Sequence, residues 1–92
     1  DAMPSDEELM AFIRAKGTTI YHAAGTCRMG PDARAVVDER LRVHGIGGLR
    51  VADASIMPVV ASGNTNAACI MIGEKCAAMV AEDFLARPAR AA

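Results

Sequence analysis

The sequence predicts part of an α/β structure that is too small to close on itself. Its 92 residues suffice for one small domain at most. The elements follow in the order helix, strand, loop, strand and long helix, and so few short strands need partners to make a sheet. We therefore expect a segment of a larger α/β fold with few strands and a long C-terminal helix.

The first element is a predicted helix over residues 5–17. Ser5 followed by Glu8 is a capping-box pattern, and Gly17 supplies the stop signal. The apolar residues that share one stripe of this helix are Leu9, Phe12 and Ile13. Such a stripe predicts a helix that docks on a partner and carries no chemistry of its own.

A short strand is predicted over residues 18–21, which are all β-branched or aromatic. It carries His22 to its end, and a glycine-rich loop follows over residues 23–35. One or two short extended pieces are predicted between Val36 and Val43. A side chain at the end of a strand can project into a cleft, although a lone histidine is more often packed or solvated.

A second strand is predicted over residues 49–53, and a long helix over residues 66–85. Apolar and polar residues alternate along that strand, and the irregular segment between the two elements contains Pro58 and Gly63. The first half of the helix is apolar on nearly all sides, which predicts a buried helix start. Residues 87–92 are expected to fray.

The composition excludes several classes of function. Ten basic and eleven acidic residues give a formal charge of −1, and aromatic residues make up 3% of the chain. Neither a cationic surface nor a stacking platform for nucleic acid is indicated. Three cysteines, an odd number, argue against a disulfide framework and favour a reducing compartment. Since no cysteine or histidine pair has metal-ligand spacing, we expect no metal site.

Three short patterns fail the requirements of the motifs that they suggest. Residues 45–50 begin like a dinucleotide-binding fingerprint, but Arg50 occupies the third glycine position and the segment precedes a strand. Cys27 could open a phosphatase loop, but Ala33 stands where that loop needs arginine. Cys27 and His22 could form a thiol–imidazole pair, but the sequence shows no third group to orient them.

Asn64, Asn66 and Asp53 each allow a structural and a functional interpretation. The asparagines precede the apolar helix, where Asn is most often an N-cap. Alternatively, a buried helix N-terminus points its free N–H groups at an anionic ligand. Asp53 is either a turn residue or a ligand to a polar cofactor group at the carboxyl end of a strand.

Four motifs occur in order along the chain: HAAGTCRMG at 22–30, VD at 37–38, LRVADASIMP at 49–58 and SGNTNA at 62–67. Together they resemble the C-terminal part of the glucose–methanol–choline (GMC) oxidoreductase family, in its choline dehydrogenase and alcohol dehydrogenase branch. The resemblance extends from about Asp6 to Phe84.

The resemblance implies the C-terminal part of an FAD/NAD(P)-binding Rossmann-like domain with a short piece of the substrate domain. In that arrangement the helix at 5–17 belongs to the substrate-domain side, and 18–44 form the strand and loop of the catalytic histidine. Residues 49–86 then supply a strand, an active-site loop and the terminal helix of the FAD domain.

The resemblance also implies FAD-dependent oxidation of a CH–OH group to a carbonyl by hydride transfer. His22 matches the catalytic base that takes the hydroxyl proton, and Asn64 matches the second active-site position, which holds the substrate oxygen. The positions that match the family's cofactor-binding segments are Asp53, Ala54, Asn64, Thr65, Asn66 and Ala67.

The sequence departs from the family pattern at three positions and in its extent. Ala23 follows the histidine where the family usually has proline, and Ala68 and Cys69 replace a frequent proline and threonine. The family's glycine-rich ADP-binding segment is absent from these 92 residues. The expected partners are therefore the N-terminal remainder of the enzyme and a small-molecule alcohol, and we expect the chain alone to be inactive.

Two further expectations concern location and an alternative function. The expected location is cytoplasmic, with membrane association through an electron-acceptor partner as the alternative. The alternative function is a non-catalytic folding or association module that forms a homodimer through exposed partner surfaces.

Overall fold

The computed structural model describes residues 2–86 and contains two α-helices joined by a long irregular segment. Helix α1 spans Asp6–Lys16, helix α2 spans Asn66–Leu85, and a 3₁₀ turn at Ala54–Ile56 lies between them. Both helices start and end within a residue of the predicted bounds, so these two predictions are confirmed. The predicted fraying of 87–92 lies outside the described residues.

Helix α1 owes its start to the predicted capping box. The backbone N–H of Glu8 donates to Ser5 Oγ at 3.3 Å, and the Ser5 N–H donates to Glu8 Oε2 at 2.8 Å. At the other end the Gly17 N–H donates to the Ile13 carbonyl oxygen at 2.7 Å. No residue of α1 is buried, and Phe12 remains 65% exposed. Docking of this helix therefore stays a prediction.

Acidification is expected to weaken the start of α1. The Ser5 backbone N–H and, after it, the Ser5 hydroxyl hold the pKa of Glu8 below its ordinary value. A carboxylate with a lowered pKa stabilises the folded form at neutral pH, and this contribution is lost as the pH falls through that pKa. Glu8→Ala should remove this acid-sensitive part of the circular-dichroism helix signal. Ser5→Ala removes the N-cap and should lower the stability of the helix by about 1 kcal/mol.

Glu7→Ala in the same turn is the matched control, because Glu7 is outside the capping box. It should retain the acid transition of the parent chain. An unchanged acid transition in Glu8→Ala would contradict the assignment.

The predicted strands do not form within residues 2–86, and the α/β Rossmann-like arrangement is not confirmed. Residues 18–20 have no regular structure, and Tyr21 bends the chain with a φ of 64°. Of residues 49–53, only Arg50 forms a β-bridge, an isolated antiparallel one with Arg42. A strand needs a neighbour along its whole length to bond its N–H and C=O groups, and the described residues supply only single bridges.

The short extended pieces predicted between Val36 and Val43 appear as isolated bridges. Val37 bridges Met29 in parallel and Val43 in antiparallel orientation. Val37 is also the side chain at the centre of a small core in which the irregular segment meets the 3₁₀ turn and α2. The buried members of this core cluster are Val37, Leu41, Ile56, Met57 and Ile72. Leu41 is buried in this core cluster although its φ of 63° lies in the left-handed region, which is unfavourable for a residue with a Cβ.

The start of α2 differs from the prediction in two respects. Its N-cap is Thr65, and Asn66 is the first helical residue, so neither asparagine caps the helix. Ile72 is buried at 5% exposure, but Ile70 is 60% exposed and Met71 is also exposed. The prediction of burial on nearly all sides is therefore wrong for the described residues, because they cover only one side of the helix.

A cluster of ion pairs joins the irregular segment to the C-terminal half of α2. Arg40 donates to Glu82, Asp83 and the Met79 carbonyl oxygen, and Arg50 donates to Asp83 and the Arg40 carbonyl oxygen. Burial alone would raise the pKa of Asp83, but hydrogen bonds and charge from the two guanidinium groups lower it below its ordinary value. Asp83 therefore stays ionised and keeps both arginines against the helix.

Candidate functional site

His22 lies at the N-terminus of α2, in contact with two residues more than forty positions further along the chain. Its Nε2 is 3.1 Å from Asn64 Oδ1, and its Nδ1 is 3.0 Å from Thr65 Oγ1. The structure thus brings together His22 and Asn64, the two positions predicted to be catalytic. Their catalytic roles stay predictions.

These contacts favour one of the two neutral tautomers of the His22 ring. A neutral imidazole has one N–H donor and one acceptor nitrogen, and an amide oxygen can only accept. With Asn64 Oδ1 facing Nε2, Nε2 carries the proton and donates it, so Nδ1 accepts from the Thr65 hydroxyl. Both ring nitrogens of His22 are therefore occupied by partners from the residues just before α2.

The loop after His22 is held against the 3₁₀ turn, which in turn packs on α2. The Cys27 N–H donates to the Ser55 carbonyl oxygen at 2.9 Å, and the Met29 N–H donates to the Ile56 carbonyl oxygen at 2.8 Å. Gly25 makes this approach possible, because it has a φ of 90° and an added Cβ would lie 3.3 Å from the Met57 carbonyl oxygen. This contact aligns His22 with the start of α2.

The N-terminus of α2 is left without a side-chain cap. Thr65 is only 8% exposed, yet its side chain makes no capping hydrogen bond. The first N–H groups of a helix need acceptors, and together with the helix dipole they attract negative charge. The chemistry of this helix start suits an anionic or carbonyl oxygen of a bound cofactor, and Asn66 and Ala67 in its first turn are exposed.

Asp53 and Ala54 line an open depression of about 360 Å³. The opposite side is formed by residues of the loop after His22, and Cys69 of α2 lies beside it. Asp53 accepts a hydrogen bond from the Ser55 hydroxyl and one from the Ser55 N–H at 2.8 Å, which hold its pKa below the ordinary value despite some burial. The structural interpretation of Asp53 as a turn residue is thus confirmed, while its cofactor role stays a prediction.

A second depression, of about 480 Å³, lies along the C-terminal half of α2 between Arg42, Arg50 and Phe84. None of the predicted site residues lines it.

Among residues 2–86, no three His, Cys, Asp or Glu side chains are grouped so as to hold a metal ion. Neither helix of the described part combines the length and apolarity that would let it cross a membrane.

The contact between Thr65 and His22 was missed by the sequence reasoning. The resemblance placed Thr65 only among the residues of a cofactor-binding segment. No local pattern indicates a hydrogen bond between side chains separated by 43 positions.

The matching family model is described as GMC oxidoreductase and covers residues 1–73. Because the match includes most of the chain, the protein belongs to the GMC oxidoreductase family. The resemblance found in the four motifs is thereby confirmed, although the match ends at Gly73, before the bound of Phe84 inferred from sequence.

The chain is similar to bacterial choline dehydrogenases. It is 59% identical over 73 residues to an oxygen-dependent choline dehydrogenase of Cronobacter sakazakii, which is 79% of this chain and 13% of that protein. The same identity and coverage hold for the oxygen-dependent choline dehydrogenase of Burkholderia cenocepacia. This chain is also 57% identical to the oxygen-dependent choline dehydrogenase of Escherichia coli O45:K1. That match extends over 76 residues, which are 83% of this chain and 14% of the relative. The chain thus spans about one seventh of the length of these relatives.

Proposed function

We propose that this chain forms the C-terminal segment of a flavin-dependent oxidoreductase that converts a CH–OH group to a carbonyl. The observation that carries the proposal is the contact between His22 Nε2 and Asn64 Oδ1 at 3.1 Å in a member of the GMC oxidoreductase family. A base and a hydrogen-bonding amide side by side are the groups needed to bind and deprotonate an alcohol.

In the proposed reaction His22 takes the hydroxyl proton of the alcohol. Imidazole is the side-chain base suited to accepting a proton near neutral pH. Asn64 hydrogen-bonds the substrate oxygen and does not titrate, so it does not compete for the proton. The alcohol must displace Asn64 Oδ1 from Nε2. The neutral ring must then carry its proton on Nδ1, so that Nε2 has the lone pair that accepts the hydroxyl proton.

FAD would be held by Asp53, Ala54 and the uncapped start of α2. When bound, FAD supplies the acceptor for the hydride that leaves the alcohol carbon. The N–H groups of the first turn, at Asn66 and Ala67, would face negative charge, which a helix N-terminus stabilises. The ionised Asp53 would accept hydrogen bonds from cofactor hydroxyl groups.

We propose an alcohol of the choline type as substrate, because relatives 57–59% identical to this chain are named choline dehydrogenases.

We propose the remainder of such an enzyme as the partner of this chain, and exposed apolar side chains support this proposal. Phe12 and Ile13 of α1 and Ile70 and Met71 of α2 are all more than half exposed. Exposed groups of large apolar side chains commonly mark interaction surfaces. The free cysteines favour a cytoplasmic location.

Complementation tests the proposal. The choline dehydrogenase of Cronobacter sakazakii, without the region that this chain matches, is co-expressed with this chain. A yellow complex is expected to co-purify, and its flavin absorbance should bleach when choline is added without oxygen. Omission of this chain and omission of choline are the controls.

A colourless complex, or a yellow complex that choline does not reduce, would contradict the enzyme proposal. The alternative function, a non-catalytic association module, predicts a different result. In that case this chain alone should sediment as a homodimer and should confer no flavin reduction on its partner.

A further inference from the structure

We infer that Thr65 is a positioning residue for His22: its hydroxyl holds Nδ1 and leaves Nε2 as the nitrogen that faces the alcohol. The functional half of this inference rests on the proposed oxidoreductase function. The hydrogen bond itself, at 3.0 Å, is a property of this chain alone.

The backbone of Thr65 explains why its hydroxyl is free for this role. A capping residue normally has extended backbone angles that direct its oxygen at the N–H groups of the first turn. Ser5 has such angles, with φ −68° and ψ 161°, and it caps α1. Thr65 has helical angles, with φ −79° and ψ −9°, and makes no capping bond. Its oxygen is directed instead at the imidazole of His22.

Burial makes the contact specific. Among residues 2–86, Thr65 is the one buried polar residue, and its hydroxyl contacts a ring nitrogen of the half-buried His22. A buried hydroxyl without a partner is destabilising, so this bond orients both groups. The exposed side of the ring, at Nε2, contacts the exposed Asn64, which can rotate away.

The Thr65 hydroxyl can hydrogen-bond Nδ1 of His22 in either neutral tautomer and in the imidazolium. It donates to Nδ1 when the neutral ring carries its proton on Nε2, and it accepts from an Nδ1–H when Nε2 presents its lone pair. In the proposed step the O–H bond of the alcohol breaks, an Nε2–H bond forms, and the resulting imidazolium still donates Nδ1–H to Thr65. The ring therefore keeps its orientation while the proton moves.

Nitrogen NMR of the chain labelled with ¹⁵N-histidine tests the contact directly. The chain has two histidines, so four ring-nitrogen signals are expected. At about pH 9, Thr65→Val should move the His22 Nδ1 signal downfield to the position of an acceptor nitrogen that has lost its donor. The Nε2 signal should stay in place, and Thr65→Ser should restore the parent spectrum.

Two controls separate a lost hydrogen bond from a lost fold. Asn64→Ala should give the opposite pattern, with Nε2 displaced and Nδ1 unchanged. His44 donates from Nε2 to the Gly30 carbonyl oxygen at 3.0 Å and should not move in any variant. If Thr65→Val also displaces His44, the valine has disturbed the fold, and Thr65→Ser alone decides: a displaced Nδ1 in the serine variant overturns the inference.

The inference is likewise overturned if Nδ1 does not move in Thr65→Val, or if the parent signals already have the positions of a free imidazole. No flavin takes part in this measurement, so its outcome is independent of the proposed function. In the complemented enzyme, Thr65→Val should slow flavin reduction by about 10–100-fold with little change in KM, the effect of a misplaced reacting group. Thr65→Ser should remain close to the parent.

Discussion

His22→Ala is expected to slow the reduction of flavin by choline about 10²–10⁴-fold in the complemented enzyme, the usual contribution of a positioned acid–base group. Without the imidazole, the base that lies beside Asn64 is lost. The hydride must then leave from an alcohol that still carries its hydroxyl proton. Stopped-flow measurement of flavin bleaching without oxygen gives the rate directly.

The other histidine provides the matched control. His44 is exposed and hydrogen-bonded to the Gly30 carbonyl oxygen, away from the start of α2, so His44→Ala should reduce flavin at the parent rate. The flavin content of His22→Ala should also match the parent, because the proposed cofactor contacts come from other residues. Near-normal flavin reduction in His22→Ala would remove this histidine from the mechanism.

Ile72→Ala is expected to lower the free energy of unfolding of the chain by about 2–4 kcal/mol. Ile72 is the residue that α2 contributes to the buried cluster around Val37 and Leu41, and it is only 5% exposed. Truncation leaves a cavity between the helix and the irregular segment that carries His22. Urea unfolding followed by circular dichroism measures the loss.

Ile70→Ala is the control on the same helix. It removes the same atoms and changes helix propensity by the same amount, but Ile70 is 60% exposed. Its expected effect is about 0.5 kcal/mol or less. Equal destabilisation by the two substitutions would show that the described core does not hold α2 in place.

The sequence alone located both helices because their signals are local. The capping box of Ser5 and Glu8 and the stop at Gly17 act within one or two turns, and the structure shows each of them. The bounds of α2 followed from a long apolar segment after an irregular one. Interactions between residues three or four positions apart suffice to specify such elements.

The strands and the burial of α2 could not be predicted in the same way. Residues 18–21 have the composition of a strand, but within the described residues they find no neighbour to pair with. Ile70 and Ile72 differ little in their local sequence, yet one is exposed and the other buried. Strand formation and side-chain burial depend on which other segments of the folded chain lie next to a residue. The composition of a short segment carries no information about these neighbours.

The amino-acid sequence by itself determined the family, through four motifs in order, and the extents of α1 and α2. Only the tertiary structure decided that His22 meets Asn64 and Thr65, at separations of 42 and 43 positions. It also decided that Thr65, rather than either asparagine, occupies the N-cap and directs its hydroxyl at the imidazole. Such contacts depend on the backbone angles and packing of distant segments, and no short-range pattern specifies these.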